Sequence, residues 1–125
     1  MNVGDLVVAH YKSGTYVGEL IQLERPKAKV RMLAVLKHPT QGDLHHPMQA
    51  DVAMFHERRA LAYREVANVF AGELAPYAGE AAPDYKESLR SALEAEIEAM
   101  RSLGGAFGER ALQQLEQLKK DYFGS

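Results

Sequence analysis

The sequence predicts an α+β protein in which a small β-barrel precedes a C-terminal α-helical hairpin. Three observations carry this. Residues 1 to 65 show strand-type alternation broken by short turns. Residues 84 to 125 switch to apolar residues at three- and four-residue steps. A Gly-, Pro- and Ala-rich stretch, residues 66 to 83, separates the two.

The first strand is expected in GDLVVAHYKSG, where a Val-rich run ends at a Ser-Gly turn signal. TYVGELIQLE resumes with Tyr16, Val17, Leu20, Ile21 and Leu23. ERPKA follows as a turn, with Pro26 fixing φ. KVRMLAVL places Val30, Met32, Ala34 and Leu36 on one parity and Arg31 on the other, as a half-buried strand requires. ALAYREV, around residues 60 to 66, is a shorter candidate strand that also has good helix propensity. Gly18, inside the second strand, has two readings: a bulge that lets the sheet close, or mere nearness to a turn. Several short strands joined by tight turns suit a small barrel of the SH3-like or OB-like sort, because closing the sheet removes exposed edges; the SH3-like form is the expectation.

VANVFAGELAPYAGEAAP, residues 66 to 83, holds no period and is expected to be a wrapped connector. Val69, Phe70, Leu74 and Tyr77 in it call for burial. Asp84 and Glu87 form a D-x-x-E capping signal. Tyr85, Leu89, Leu93, Ile97 and Met100 then make an apolar stripe, with Glu94, Glu96, Glu98 and Arg101 mostly off it. Gly104-Gly105 stops this helix. Phe107, Ala111, Leu115, Leu118 and Tyr122 make the stripe of a second, with Lys119 and Lys120 in the last turn, where the helix dipole favours cations. The expected organisation is a barrel over 1–65, a connector over 66–83 and a hairpin over 84–125, packed as one compact unit. The barrel alone would have a marginal core. Either arm of the hairpin also offers positions for a homodimer.

Composition removes several function classes. The chain has 125 residues, 46% hydrophobic and 26% charged, with a net charge of -2. That charge gives no global attraction to nucleic acid or anionic lipid. There is no cysteine, so disulfides, thiol catalysis, thiolate metal sites and cysteine-linked lipids are not expected. The N-terminus lacks the basic start and apolar run of a signal peptide, and no stretch approaches the roughly 20 apolar residues of a membrane span.

The chemistry concentrates in HPTQGDLHHPMQADVAMFHERRALAYRE, residues 38 to 65, which contains four of the five histidines. A metal would need donors converging on one point. The spacing of His38, Asp43, His45 and His46 matches no ligand pattern, and HERRA at His56 lacks the second histidine of HEXXH. Adjacent His45 and His46 point to opposite sides of an extended chain. Hydrolysis lacks a GxSxG nucleophile, leaving only generic Asp–His pairs. Nucleic-acid binding through Arg58, Arg59, Tyr63 and Arg64 lacks a basic footprint at a pI of 6.2. It remains the alternative function: a nucleic-acid-binding barrel acting on gene expression. A purely structural loop is a further alternative, with Gly42-Asp43 turning and His56 and Arg58 bonding the loop to the sheet.

LAVLKHPTQGDLHHP (33–47), ADVAMFHERRALAYRE (50–65), PDYKESLRSALE (83–94) and YKSGTYVGE (11–19) together resemble the kinase-associated protein B family of spore-forming bacteria. The resemblance implies a non-enzymatic regulator that activates a membrane sensor histidine kinase feeding the sporulation phosphorelay. It implies no catalytic residues and no cofactor or metal. Some members are called lipoproteins; in a chain without cysteine such an anchor is not expected. The protein is then expected in the cytoplasm, or peripheral to the membrane through its kinase. Partner contact is expected at a dense set of polar side chains on a barrel-mounted loop: His38, Gln41, Asp43, His45, His46, Asp51, His56, Glu57, Arg58 and Arg64.

Overall fold

The computed structural model describes residues 1–42, 48–50 and 55–124. Among them, β1 (Leu6–Tyr11), β2 (Gly14–Glu24), β3 (Lys27–Lys37), β4 (Val66–Phe70) and β5 (Leu74–Pro76) form one antiparallel sheet. The order is β4-β3-β2-β1-β5. A single 3-10 turn, Ala71–Glu73, joins β4 to β5. The meander β1 to β4 followed by a return of β5 to β1 is the expected SH3-like arrangement. Helices α1 (Tyr85–Leu103) and α2 (Gly105–Phe123) follow.

The β1–β2 hairpin turns on Lys12 and Ser13, both at positive φ, with Tyr11 opposite Gly14. The turn therefore falls one residue before the expected Ser-Gly pair. The β2–β3 hairpin turns at Arg25-Pro26, a cis peptide bond. Of the two readings of Gly18, the bulge holds. The β2–β3 register shifts between Val17 and Gly18, and a Cβ on Gly18 would lie 2.4 Å from Val30 Cγ1 and 2.8 Å from the Arg31 carbonyl oxygen. Only glycine allows the two backbones to approach so closely.

Residues 66 to 76 correct the connector. VANVF is β4, in register with β3 from Lys27 opposite Phe70 to Arg31 opposite Val66. LAP is β5, paired with Val7 to Ala9. The sheet thus runs past residue 65, and the candidate strand over 60–66 contributes only its last residue. Val69 is buried as expected, but Phe70 is exposed.

The hairpin behaves as its pattern requires. Asp84 caps α1, its carboxylate accepting from the Glu87 N–H at 3.0 Å. Gly104 and Gly105, at φ 65° and 71°, reverse the chain. Gly108 lets α2 approach α1: a Cβ there would lie 2.8 Å from the Met100 carbonyl oxygen. Leu89 and Ala92 join the barrel core with Leu20, Val30 and Met32. Leu93, Ile97, Met100, Phe107, Ala111 and Leu115 form a second cluster, flanked by Phe55. Ser88 clips α1 to the sheet, accepting from the Val35 N–H at 3.0 Å. One residue departs from the stripe. Glu96, expected on the outer face, is buried, with Lys37 Nζ of β3 3.8 Å from its carboxylate.

Candidate site at the histidine-rich segment

The two arms of the segment, residues 38–42 and 55–65, run beside each other between the barrel and the hairpin. Gln41 joins them. Its carboxamide acts as a peptide unit would in a ladder: Nε2 donates to the Arg58 carbonyl at 2.9 Å, and Oε1 accepts from the Arg58 N–H at 2.9 Å. Arg58 Nε donates back to the Gly42 carbonyl at 2.9 Å, and the Gly42 N–H donates to the His56 carbonyl at 3.0 Å. Thr40 N–H reaches Ser13 Oγ in the β1–β2 turn at 3.0 Å. Side chains thus satisfy many of the segment's backbone groups, and the backbone bonds of Gly42 to His56 and of Arg64 and Glu65 to Met32 satisfy others.

His38 is the fixed point. It is 0% exposed. Its Nε2 lies 2.9 Å from Tyr122 Oη on the last turn of α2, and its Nδ1 lies 3.0 Å from the Pro39 carbonyl. Tyr122 Oη also accepts from the Ala60 N–H at 2.9 Å. The hydroxyl proton therefore goes to His38 Nε2, and the network assigns the histidine proton to Nδ1, donating to Pro39. This is a neutral imidazole. Burial pushes its pKa down to about 4, with Lys37 adding to the effect and the Pro39 hydrogen bond opposing it.

Two more tyrosines meet the same segment. Tyr16 Oη of β2 accepts from the Leu61 N–H at 3.2 Å, and Tyr85 Oη of α1 donates to the Leu61 carbonyl at 2.5 Å. Three hydroxyls from three elements thus converge on Ala60 and Leu61. Burial pushes Tyr16 and Tyr85 up to about 12, and Tyr122 also upward, so all three remain neutral hydrogen-bonding groups at physiological pH.

The structure separates the expected contact residues. His38 and Gln41 (3% exposed) lie inside the protein, correcting their place on a contact surface. Arg58 and His56 are half-buried, Arg58 within the loop network. Glu57 and Arg64 face solvent. Glu57 is 3.3 Å from Arg59, which also reaches Asp121 of α2 at 2.6 Å. Arg64 holds a positive φ while its N–H donates to the Met32 carbonyl at 2.7 Å. Asp43, His45, His46 and Asp51 lie outside the described residues. Among the described residues no three His, Asp or Glu side chains converge as a metal site would require.

Sequence reasoning missed the tyrosines as hydrogen-bonding groups, and it considered Arg59 only as a nucleic-acid contact, not as the ion-pair partner of Glu57 and Asp121. Tyr85 and Tyr122 read as apolar stripe residues, and the signal available was their polar tip, which in a buried setting seeks a partner. It also missed a cleft beside this network, bounded by Tyr11, Lys12, Tyr16, Pro39, Glu57 and Arg58.

The family model described as Kinase associated protein B matches residues 11–123. A relative called kinase-associated lipoprotein B, from Bacillus subtilis (strain 168), is 46% identical over 120 residues, 96% of this chain and 93% of the relative. The crystal structure of kinase-associated protein B from Bacillus cereus superposes with a TM-score of 0.84 at 43% identity, covering 98% of this chain and 97% of that one. Among the described residues no helix is long and apolar enough to cross a membrane.

Proposed function

The chain belongs to the kinase-associated protein B family, and from that membership we propose that it is a non-enzymatic accessory protein that activates or modulates a sensor histidine kinase of the sporulation phosphorelay by protein–protein contact. The observation that carries the reading is how its most chemistry-like residues are used. His38 is buried and hydrogen-bonded on both nitrogens. Gln41 and Arg58 complete a backbone network. Groups so engaged serve shape, which is what a partner reads.

The proposed contact face comprises Glu57 and Arg64, which face solvent, together with Asp43, His45, His46 and Asp51, which lie outside the described residues. The network of Gln41, Gly42, His56 and Arg58 fixes the backbone on either side of Glu57, and a preorganised contact residue loses less freedom on binding. The protein works in the cytoplasm, reaching the membrane through its kinase.

The test uses the purified protein and a purified full-length sensor histidine kinase in detergent or nanodiscs. The expected result is a saturable complex and a several-fold change in kinase autophosphorylation. Joint replacement Glu57→Ala and Arg64→Asn should weaken the complex while thermal unfolding is unchanged. A wild-type protein that neither binds a sensor kinase nor changes its rate would overturn the reading.

A further inference from the structure

The sheet does not close completely, and the opening has a definite chemistry. Strand β4 pairs only with β3. Strand β1 pairs with β5 only over Val7 to Ala9, so among the described residues His10 and Tyr11 have no strand partner on that side. Between these two strand edges lies a cleft of about 700 Å³, with Tyr11 and Lys12 on one wall and Lys27, Asn68 and Phe70 on the other. Antiparallel pairing leaves alternate backbone N–H and C=O groups of such edges pointing away from their only neighbour.

Both walls carry an aromatic ring with an ammonium over it. Lys12 Nζ lies 5.3 Å from the Tyr11 ring centroid, and Lys27 Nζ lies 5.0 Å from that of Phe70. Phe70 is 58% exposed and Val66, on the same strand face, 47%. Lys29 stands opposite Asn68 in the register. Among the described residues, none of Lys12, Lys27 and Lys29 is within ion-pair distance of a carboxylate. The one acid lining the cleft is Glu73. An edge strand of composition VANVF, without a charge of its own, lacks the usual protection against pairing; the lysines beside it select by charge what pairs.

We propose that this seam binds an extended, carboxylate-bearing peptide segment of a partner protein, laid along the β4 edge. Resting on the accessory-protein reading above, it names what the partner presents. Backbone groups pair with the free edge, as in other strand-addition complexes. Alternate side chains of the segment face the same way, so acidic ones meet Lys12 and Lys27 beside the Tyr11 and Phe70 rings, while apolar ones turn to the opposite face of the sheet, the side of Ala67 and Val69. The cations are lysines with no arginine fork and a carboxylate nearby, which suits carboxylates better than a phosphate dianion. A second copy of this chain would bring an uncharged strand with its own lysines, and like charges would meet. Tyr11 and Lys12 also border the cleft beside Glu57 and Arg58, so the seam continues the proposed contact face.

The test is fluorescence anisotropy with a labelled ten-residue peptide of alternating glutamate and valine, titrated with the full chain. A glutamine–valine peptide is the control. Saturable binding is expected, weakened at least tenfold by a tenfold rise in salt, by Lys12→Glu with Lys27→Glu, and in the control peptide. Phe70→Ala, at an exposed site that leaves the core intact, should also weaken it. Equal binding of the two peptides, or of wild type and the charge-reversed protein, overturns the proposal. So does a wild-type dimer that Phe70→Ala dissociates in sedimentation, which would assign the seam to a second copy. The kinase assay separates the two readings. A sensor kinase bound equally by wild type and charge-reversed protein leaves the accessory role standing and sinks the seam. Peptide binding without any kinase binding does the reverse.

Discussion

His38 Nε2 and Tyr122 Oη lie 2.9 Å apart, although 84 residues separate them in the chain. That hydrogen bond ties the start of the histidine-rich segment to the end of the second helix. The same hydroxyl accepts the Ala60 N–H, so one oxygen serves both arms of the segment. Replacing Tyr122 with Phe keeps the ring and removes the oxygen. Two polar groups then lose their partner, one of them the wholly buried imidazole. The expected cost is about 2 kcal/mol, read as a lower urea midpoint with an unchanged denaturant slope. A variant as stable as the wild type would refute the bolt.

The imidazole makes stability depend on pH in a predictable direction. Its pKa falls from 6.5 unfolded to about 4 folded. Between those values the unfolded chain binds the proton more readily than the native one. Stability is therefore full above pH 6.5 and is lost as pH falls towards 4, by up to about 3 kcal/mol. Urea titrations across that range should show the slope. His38→Gln, which cannot titrate, should flatten it.

Glu96 acts with the opposite sign. Burial raises its pKa above 4.5, and Lys37 at 3.8 Å offsets this only in part. A carboxyl whose folded pKa is raised favours folding below its unfolded pKa, and that contribution is lost as pH rises through the folded value. Glu96→Gln should therefore stabilise the protein at neutral pH, read as a higher Tm. The gain should disappear below about pH 4, where the native carboxyl is protonated as well. Calorimetry at both pH values checks this.

Two glycines test the close approach in the sheet. Gly18→Ala would place a methyl 2.4 Å from Val30 Cγ1 and 2.8 Å from a backbone oxygen. Overpacking of this kind costs about 1 to 3 kcal/mol. Gly72, in the 3-10 turn, has nothing within 4 Å of an added Cβ, and Gly72→Ala should change stability by less than about 0.5 kcal/mol. Equal effects at the two sites would remove the bulge argument.

Much of this architecture is visible in the residues, and the exceptions have physical causes. Strands β1 to β3 were legible because their inward positions are apolar and regular, as in Val30, Met32 and Ala34. In β4 the pattern is inverted: Ala67 and Val69 turn inward while the larger Phe70 faces out. Its period therefore disappears beside the Gly- and Pro-rich text that follows. Strand β5, at three residues, is too short to show one. In the hairpin, Glu96 reads as a surface acid until β3 brings Lys37 across it. His38 and Gln41 read as loop polarity, because their burial depends on partners such as Tyr122 and Arg58 that lie far along the chain. The family resemblance was readable over nearly the whole chain; which of its polar residues hold the fold and which meet solvent was not.

The three tyrosines on Ala60 and Leu61 also bear on how the protein is made. Tyr16 leaves the ribosome before the segment it grips, Tyr85 after it and Tyr122 last of all. While translation proceeds, the Tyr16 hydroxyl is available to the segment before those of Tyr85 and Tyr122, and His38 has no Tyr122 to bond. The segment is fastened only when the second helix has emerged, so the locking of this loop waits on the synthesis of α2.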